Sequence, residues 1–590
     1  MPVAGAASPL VNLLSREKMN VLEAIKGLLG KALPENADQV AFAKAVRPSS
    51  DAKFGEYQAN GCMTLAKSLG RNPRDLATEI AGRAELAPIA GKPEVAGPGF
   101  LNLRLNDEWV SSTLNAMLGD DRLGLTAPAE PRTVVIDYSS PNVAKPMHVG
   151  HIRSTVIGDS LARIVAALGH KVVRDNHLGD WGCQFGMILW GWKNERDQAA
   201  YEANPVAELA RLYKLAQERM KGGEKAVEDA SRVETAKLHA GDPANRALWD
   251  QFMPHCLGAL EAIYARLGVT FDVQLGESFY DPMLAAVVED LEAKGLATES
   301  DGAIVVFVEQ TEAPFIIRKR DGAYNYATTD LATIKYRVDT WRPDQVLYVV
   351  DSRQGDHFKQ LFEVARKWGY DSIDLEHVAF GTILGKDGKP FKTRAGDVVG
   401  LESLLDEAIA EARKVVDENS PELEPAERQR VAEVVGMGAI KYADLSQNRI
   451  SDYKFDWQKM MAMNGNTATY LQYAYARIQS IFRKGGFLAD AIRQARPAIA
   501  LSHPAERALA VRLLRLPEVL ELAASDFKPN ILTDYLFDVA NAFSTFFEGC
   551  PVLKAESAER RDSRLALCDL TARILKYGLS LLGIETVERM

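Results

Sequence analysis

A chain of 590 residues is too long for one ordinary core, so about three or four domains are expected. Its 47% hydrophobic and 25% charged residues are ordinary for a soluble globular protein, and no apolar run approaches bilayer length, which excludes a membrane-spanning class. The formal net charge of −10 argues on bulk grounds against nucleic acid as a partner, and five cysteines without a C-x-x-C pair argue against a disulfide framework or a structural zinc site.

Scattered cysteines point to a reducing cytoplasm, and the N-terminus has neither a secretory layout nor an Arg-rich transit layout. Residues 1–18 are expected to be an extension, because Met19 directly precedes the helical pattern VLEAIKGLL. From there to about residue 127 the chain reads as helices followed by a short strand, closing at GPGFLNLRL before the Pro-bearing linker TAPAEPR. That is a small α+β domain.

The β-branched run in TVVIDYSSP predicts a buried strand from Thr133 to Ile136 that ends in a turn. Next comes PMHVGHIRST, and then Ile152, Val156, Leu161, Ile164, Val165 and Leu168 at helical spacing until Gly169. KVVRD supplies a second strand. A strand–loop–helix–strand unit of the parallel type binds ligands at the carboxyl ends of its strands, where His148 and His151 fall. Backbone N–H groups and the dipole favour anions at a helix start, Gly150 permits close approach of a nucleotide, and imidazoles can donate to phosphate. Taken alone, H-x-G-H serves as well to cap a helix or to bind a metal.

The α/β region extends over about residues 128–455, interrupted near 194–269 by a helical stretch dense in Ala, Glu, Lys and Arg. From about residue 456 to 590 no strand pattern persists, and apolar residues recur at i, i+3, i+4 and i+7, predicting an all-α bundle. Within it, spacing places Tyr470, Tyr473 and Tyr475 in the core more readily than on a base-stacking platform. Local basic stripes at RIQSIFRKGG from Arg477 and RLLRL from Arg512 could contact phosphates, though each suits a plain solvated helix face.

Five blocks carry a resemblance: DYSSPNVAKPMHVGHIRSTVIGD, DNHLGDWGCQFG, YNYATTDLA, DSRQGDHFKQLFEVA and GKDGKPFKTRAGD. In this order they resemble the arginyl-tRNA synthetases of bacterial type, a class I family. The resemblance implies a Rossmann-type catalytic domain between an N-terminal tRNA-contacting domain and a helical anticodon-binding domain. It implies arginine–tRNA ligase activity with ATP and Mg2+, tRNA(Arg) and L-arginine as partners, no membrane association, no dedicated metal ligands and a monomer. It also implies that tRNA must be bound before activation proceeds well.

Carried onto this chain, the family's phosphate-side residues are His148, Gly150 and His151, with Lys145 as a point charge. The second class I signature is matched only loosely by GKPFKTRAG. Lys145, Lys386, Lys389 and Lys392 all remain candidates for its positive charge, with Lys392 and Arg394 favoured and Lys389 on the ATP side. A guanidinium requires forked acceptors, and Asp137, Glu277 and Asp330 match family positions, with Tyr326 and Gln354 completing the pocket. Ser140 and Asn142 match contacts to the amino and carboxyl end of the substrate. Phe100 and Asn102 are candidates for touching a D-loop base, although an aromatic at a strand end more often packs inward. The rival readings are another class I synthetase, a small H-x-G-H nucleotidyltransferase without tRNA, and a non-catalytic tRNA-binding paralogue.

Overall fold

The computed structural model describes residues 20–309, 311, 313–389, 391 and 399–590, so the expected extension over residues 1–18 lies outside it. The first helix, Val21–Lys31, starts where its cap allows: the Asn20 side chain accepts from the Glu23 N–H. Beyond it, β1 (Val46–Pro48), β2 (Tyr57–Ala59), β3 (Glu94–Ala96) and β4 (Phe100–Leu103) form an antiparallel sheet of order β1-β2-β4-β3. Leu101 and Leu103 are wholly buried on one face of it.

The central sheet follows from its hydrophobic runs. In β5 (Thr133–Asp137) every residue after the first is buried, as a strand covered on both faces requires. The strands β6 (Lys171–Leu178) and β7 (Val273–Gly276) extend the sheet on one side of β5. After the antiparallel β8 (Ala297–Ser300), β9 (Ala303–Val306) and β10 (Phe315–Arg318), the strands β11 (Gln345–Tyr348) and β12 (Asp374–His377) extend it on the other. The order β12-β11-β5-β6-β7 is parallel throughout and reverses direction between β5 and β11. A crevice at the carboxyl ends of the strands is the consequence, and in such sheets the ligand binds there. The small β8–β10 sheet was not anticipated from the sequence.

Gly169 ends the helix Val149–Ala167 as expected, with a φ of +96°, and β6 begins two residues later. The interruption between β6 and β7 is helical: after Cys183–Glu195 come Gln198–Ala203, Pro205–Lys221, Lys225–His239 and Pro243–Leu267. The rest of the chain is almost entirely helical past the short parallel pair β13 (Ile383–Leu384) and β14 (Tyr453–Lys454). Tyr475 is buried and the Tyr470 hydroxyl donates to Asn541, so these tyrosines serve packing. Arg477 of the basic run lies 4.2 Å over the Phe547 ring.

The N-terminal unit docks on this helical region. Arg507 reaches Glu56 and Asp107 at 2.6 Å each and donates to the Leu105 carbonyl, while the Tyr57 hydroxyl donates to Glu518 at 2.9 Å.

Candidate active site

Four of the five parallel strands, β5, β6, β7 and β11, deliver residues to one edge. After β5 the chain turns through Ser139 and Ser140, whose φ values of 71° and 45° are left-handed. Non-glycine residues there cost about 1–3 kcal/mol each and persist only when their surroundings hold them. Ser139 N–H donates to Ser154 Oγ at 2.8 Å, Ser140 N–H to Asn176 Oδ1 at 3.0 Å, and Ser140 Oγ to Asp137 Oδ1 at 2.8 Å. The turn carries Asn142 alongside Gly179, where the Val143 N–H donates to the Gly179 carbonyl at 3.0 Å.

His148 and His151 close a reciprocal capping box on the helix Val149–Ala167. His148 Nδ1 accepts from the Gly150 N–H, and His151 Nδ1 from the His148 N–H, both at 3.1 Å. A ring nitrogen that accepts carries no proton, so the His148 proton belongs to Nε2; His151 Nδ1 lies against both the His148 N–H at 3.1 Å and the His148 carbonyl at 3.3 Å, contacts that serve either tautomer. Burial and the neighbouring Lys145 lower the His148 pKa, and burial lowers that of His151 to about 4. Both rings are therefore neutral at pH 7, with centroids 4.0 Å apart, and His148 presents an Nε2–H donor. The helix-cap reading of H-x-G-H is realised by both rings.

A Cβ on Gly150 would lie 2.9 Å from His148 Cε1, so the glycine makes room for the imidazole. Lys145 stands close enough to depress both histidines, and its ammonium lies 5.1 Å over the ring of Tyr213 in the inserted helix Pro205–Lys221.

The segment matching the second signature is anchored at Phe391. Phe391 N–H donates to the Ile383 carbonyl, and its ring stacks on Phe455 at 4.6 Å. Beyond it the Val399 carbonyl accepts from the Val149 N–H and the Leu401 N–H donates to the Met147 carbonyl, so residues 399–401 lie on the histidine motif. Lys386 and Lys389 are exposed on the turn between Gly385 and Phe391. Lys392 and Arg394 lie outside the described residues.

The acids divide. Asp137 is not free: Oδ2 accepts from Arg337 Nη2 at 2.6 Å, and Oδ1 accepts from Ser140. Arg337, wholly buried on the helix Tyr326–Trp341, also donates from Nε to Asp175 Oδ2 at 2.9 Å. Asp137 thus already has a cation and a hydroxyl as partners inside the protein. Glu277, at the end of β7, is different. Burial and the charges of Asp180 and Asp330 raise its pKa to about 7, against a lowering by the Trp181 N–H that faces it. Tyr326 is near enough for the Glu277 charge to raise its own pKa, and its ring is 61% exposed. Asp330 is held at Oδ2 by His357 Nε2 at 2.6 Å. Gln354 is exposed in the turn Ser352–Gln354 that follows β11.

Three contributors went unread in the sequence: His357, whose pKa is raised chiefly by its bond to Asp330 against the opposing effect of burial; Asp180; and Arg337. His357 and Asp180 lie inside the quoted blocks, so the signal was present.

In the N-terminal unit, Phe100 and Asn102 share the sheet face opposite Leu101 and Leu103. Asn102 is only 6% exposed, and its oxygen accepts from Gln58 Nε2 at 2.8 Å.

Known proteins match this chain end to end. The family model described as "tRNA synthetases class I (R), catalytic domain" matches residues 113–457. "Arginyl tRNA synthetase N terminal domain" matches residues 19–105, and "DALR anticodon binding domain" matches residues 471–590. The chain is 45% identical to a Rhodopirellula baltica protein named arginine–tRNA ligase, over 93% of this chain and 96% of that one. It is 47% identical to one from Klebsiella pneumoniae, over 97% and 100%. The crystal structure of a Plasmodium falciparum arginyl-tRNA synthetase superposes with a TM-score of 0.82 at 28% identity, covering 97% of this chain and 98% of that one.

Proposed function

The chain belongs to the class I arginyl-tRNA synthetases, and from that premise we propose how its residues divide the work of an arginine–tRNA ligase. Its substrates are arginine, ATP and tRNA. An arginine carboxylate oxygen attacks the α-phosphorus of ATP, the bond to the bridging oxygen breaks, and pyrophosphate leaves. A hydroxyl of the terminal ribose of tRNA(Arg) then takes the arginyl group and AMP departs.

His148 and His151 donate Nε2–H to the phosphates, where added charge on in-line displacement strengthens both bonds. Lys145 adds a point charge, and Lys389, Lys392 and Arg394 serve the leaving pyrophosphate from the segment that leads to residues 399–401 on the same motif. Mg2+ enters with the triphosphate, its oxygens and water as ligands; the neutral imidazole donors suit phosphate oxygens rather than the ion. Glu277 and Asp330 grip the guanidinium, flanked by Tyr326 and Gln354, while Ser140 and Asn142 face the substrate's other end. Phe100 and Asn102 face the outer corner of the tRNA, and the helical bundle faces the anticodon. The protein works as a monomer in the cytoplasm; no helix among the described residues is long and apolar enough to cross a membrane.

The observation that carries this reading is a buried carboxyl held near pH 7 by two further acids. A buried carboxyl beside two further acids favours a bound cation. Arginine binding keeps Glu277 ionised and so releases a proton below its free pKa. The KM for arginine is expected to fall about tenfold between about pH 6 and pH 8, and Glu277→Gln to raise it and flatten the profile. The same shift costs the unliganded fold stability as pH rises from the ordinary carboxylate range to about 7, and bound arginine restores it. A flat profile in the parent protein contradicts the assignment.

A further inference from the structure

Two consecutive carbonyls at the end of β6 are held by side chains from two different inserted helices. Trp249 Nε1 donates to the Asp180 carbonyl at 2.9 Å. His239 Nε2 lies 2.7 Å from the Trp181 carbonyl, which can only accept, so that nitrogen carries the proton. The rings lock together: Trp181 stacks on His239 with centroids 5.3 Å apart and planes 11° apart, and meets Trp249 edge-on at 5.4 Å. The Arg246 guanidinium covers both indoles at 5.1 and 4.5 Å.

The same two residues face the arginine pocket on their other side. The Asp180 carboxylate accepts from Ser278 N–H at 2.9 Å and from Ser278 Oγ at 2.6 Å, directly beside Glu277. The Trp181 N–H faces the Glu277 carboxylate. That N–H and the Asp180 carbonyl belong to one planar peptide unit and point in opposite directions. Whatever holds the carbonyl therefore aims the N–H.

We propose that His239 and Trp249 are positioning residues for arginine binding: by holding the Asp180 and Trp181 carbonyls, the inserted helices aim the Trp181 N–H at Glu277. This rests on the reading of Glu277 as a guanidinium acceptor. The inserted helices thereby set arginine affinity without touching the histidines that face ATP. The charged groups around Glu277 are Asp180 from the end of β6, and Asp330 and Tyr326 from the helix Tyr326–Trp341, with His357 paired to Asp330.

The test compares Trp249→Phe, His239→Leu and His239→Gln in the full chain, using arginine-dependent ATP–pyrophosphate exchange. Trp249→Phe keeps the ring and loses only the donor, and Gln can restore a donor at position 239. The first two variants should raise the arginine KM about tenfold, leave the ATP KM unchanged, and move the midpoint of the arginine pH profile upward, since an N–H favouring the ionised carboxyl is lost. His239→Gln should recover most of both effects. If Glu277→Gln weakens arginine but Trp249→Phe and His239→Leu change neither KM nor midpoint, the inference is overturned. Parallel rises in the arginine and ATP KM, with no shift of midpoint, overturn it as well, in favour of a merely structural role. If Glu277→Gln itself leaves the arginine KM unchanged, it is the underlying pocket reading that fails.

Discussion

His148→Asn is expected to fold as stably as the parent and to lose about 10²–10³-fold in the rate of adenylate formation. The two halves of that result come from different atoms of one ring. His148 Nδ1 accepts from the Gly150 N–H as a helix cap, and asparagine is among the preferred residues for that task. Nε2–H, the donor aimed at phosphate, has no counterpart in asparagine at that reach. His148→Ala removes both and should cost about 1 kcal/mol of stability beyond the same kinetic loss. His151→Ala should behave like His148→Ala, because its ring closes the other half of the box. Single-turnover adenylate formation and denaturant unfolding separate the terms. Equal stability losses in His148→Asn and His148→Ala would remove the cap from the account, and near-parent rates in both would remove the donors.

Arg337→Leu is expected to destabilise the catalytic region by about 3–5 kcal/mol, the largest stability effect among the predictions. The guanidinium is wholly buried between Asp137 and Asp175, which are 7% and 0% exposed. Burial pushes Asp175 upward, and Arg337 beside it draws it back. Without the guanidinium, Asp137 at the end of β5 and Asp175 beside it within β6 are left as two carboxylates with no cation between them. The lost charge also releases Asp137, which holds Ser140 Oγ, so the left-handed turn leading to Asn142 loses a support. Arg337→Lys keeps the charge without the fork that spans both strands, and should recover only part. Adding Asp137→Asn and Asp175→Asn to Arg337→Leu should return much of the stability, because the cost lies in the unpaired charges. Denaturant unfolding of the single and triple variants decides this; a loss under about 1 kcal/mol for Arg337→Leu would show that the buried pair carries little.

The strand–helix–strand unit was legible because its periods are unambiguous: TVVI is a continuous β-branched run and the helix after it repeats until Gly169. The edge at which His148 and His151 stand followed from that unit alone. What chemistry the histidines perform depended on hydrogen bonds within three residues, which spacing suggests but does not assign. Arg337 was illegible for a different reason. In ATIKYRVDTW it looks like one more charge on a solvated face, and only the fold brings it to Asp137 and Asp175, 200 and 162 positions away. The pairing of Asp137 was illegible for the same reason in mirror image, since an acid at a strand end shows its charge in the sequence but not its partner. The β8–β10 sheet escaped notice because strands of four residues in a turn-rich stretch carry too little period.

Arginine activation by this chain is assigned here to one acidic pocket and one pair of neutral histidines. Amino-acid-dependent ATP–pyrophosphate exchange, run across the standard amino acids with and without tRNA, tests it most directly. The account predicts exchange with arginine alone, dependent on added tRNA. Exchange supported by a different amino acid, or none from protein shown to be folded, would contradict it.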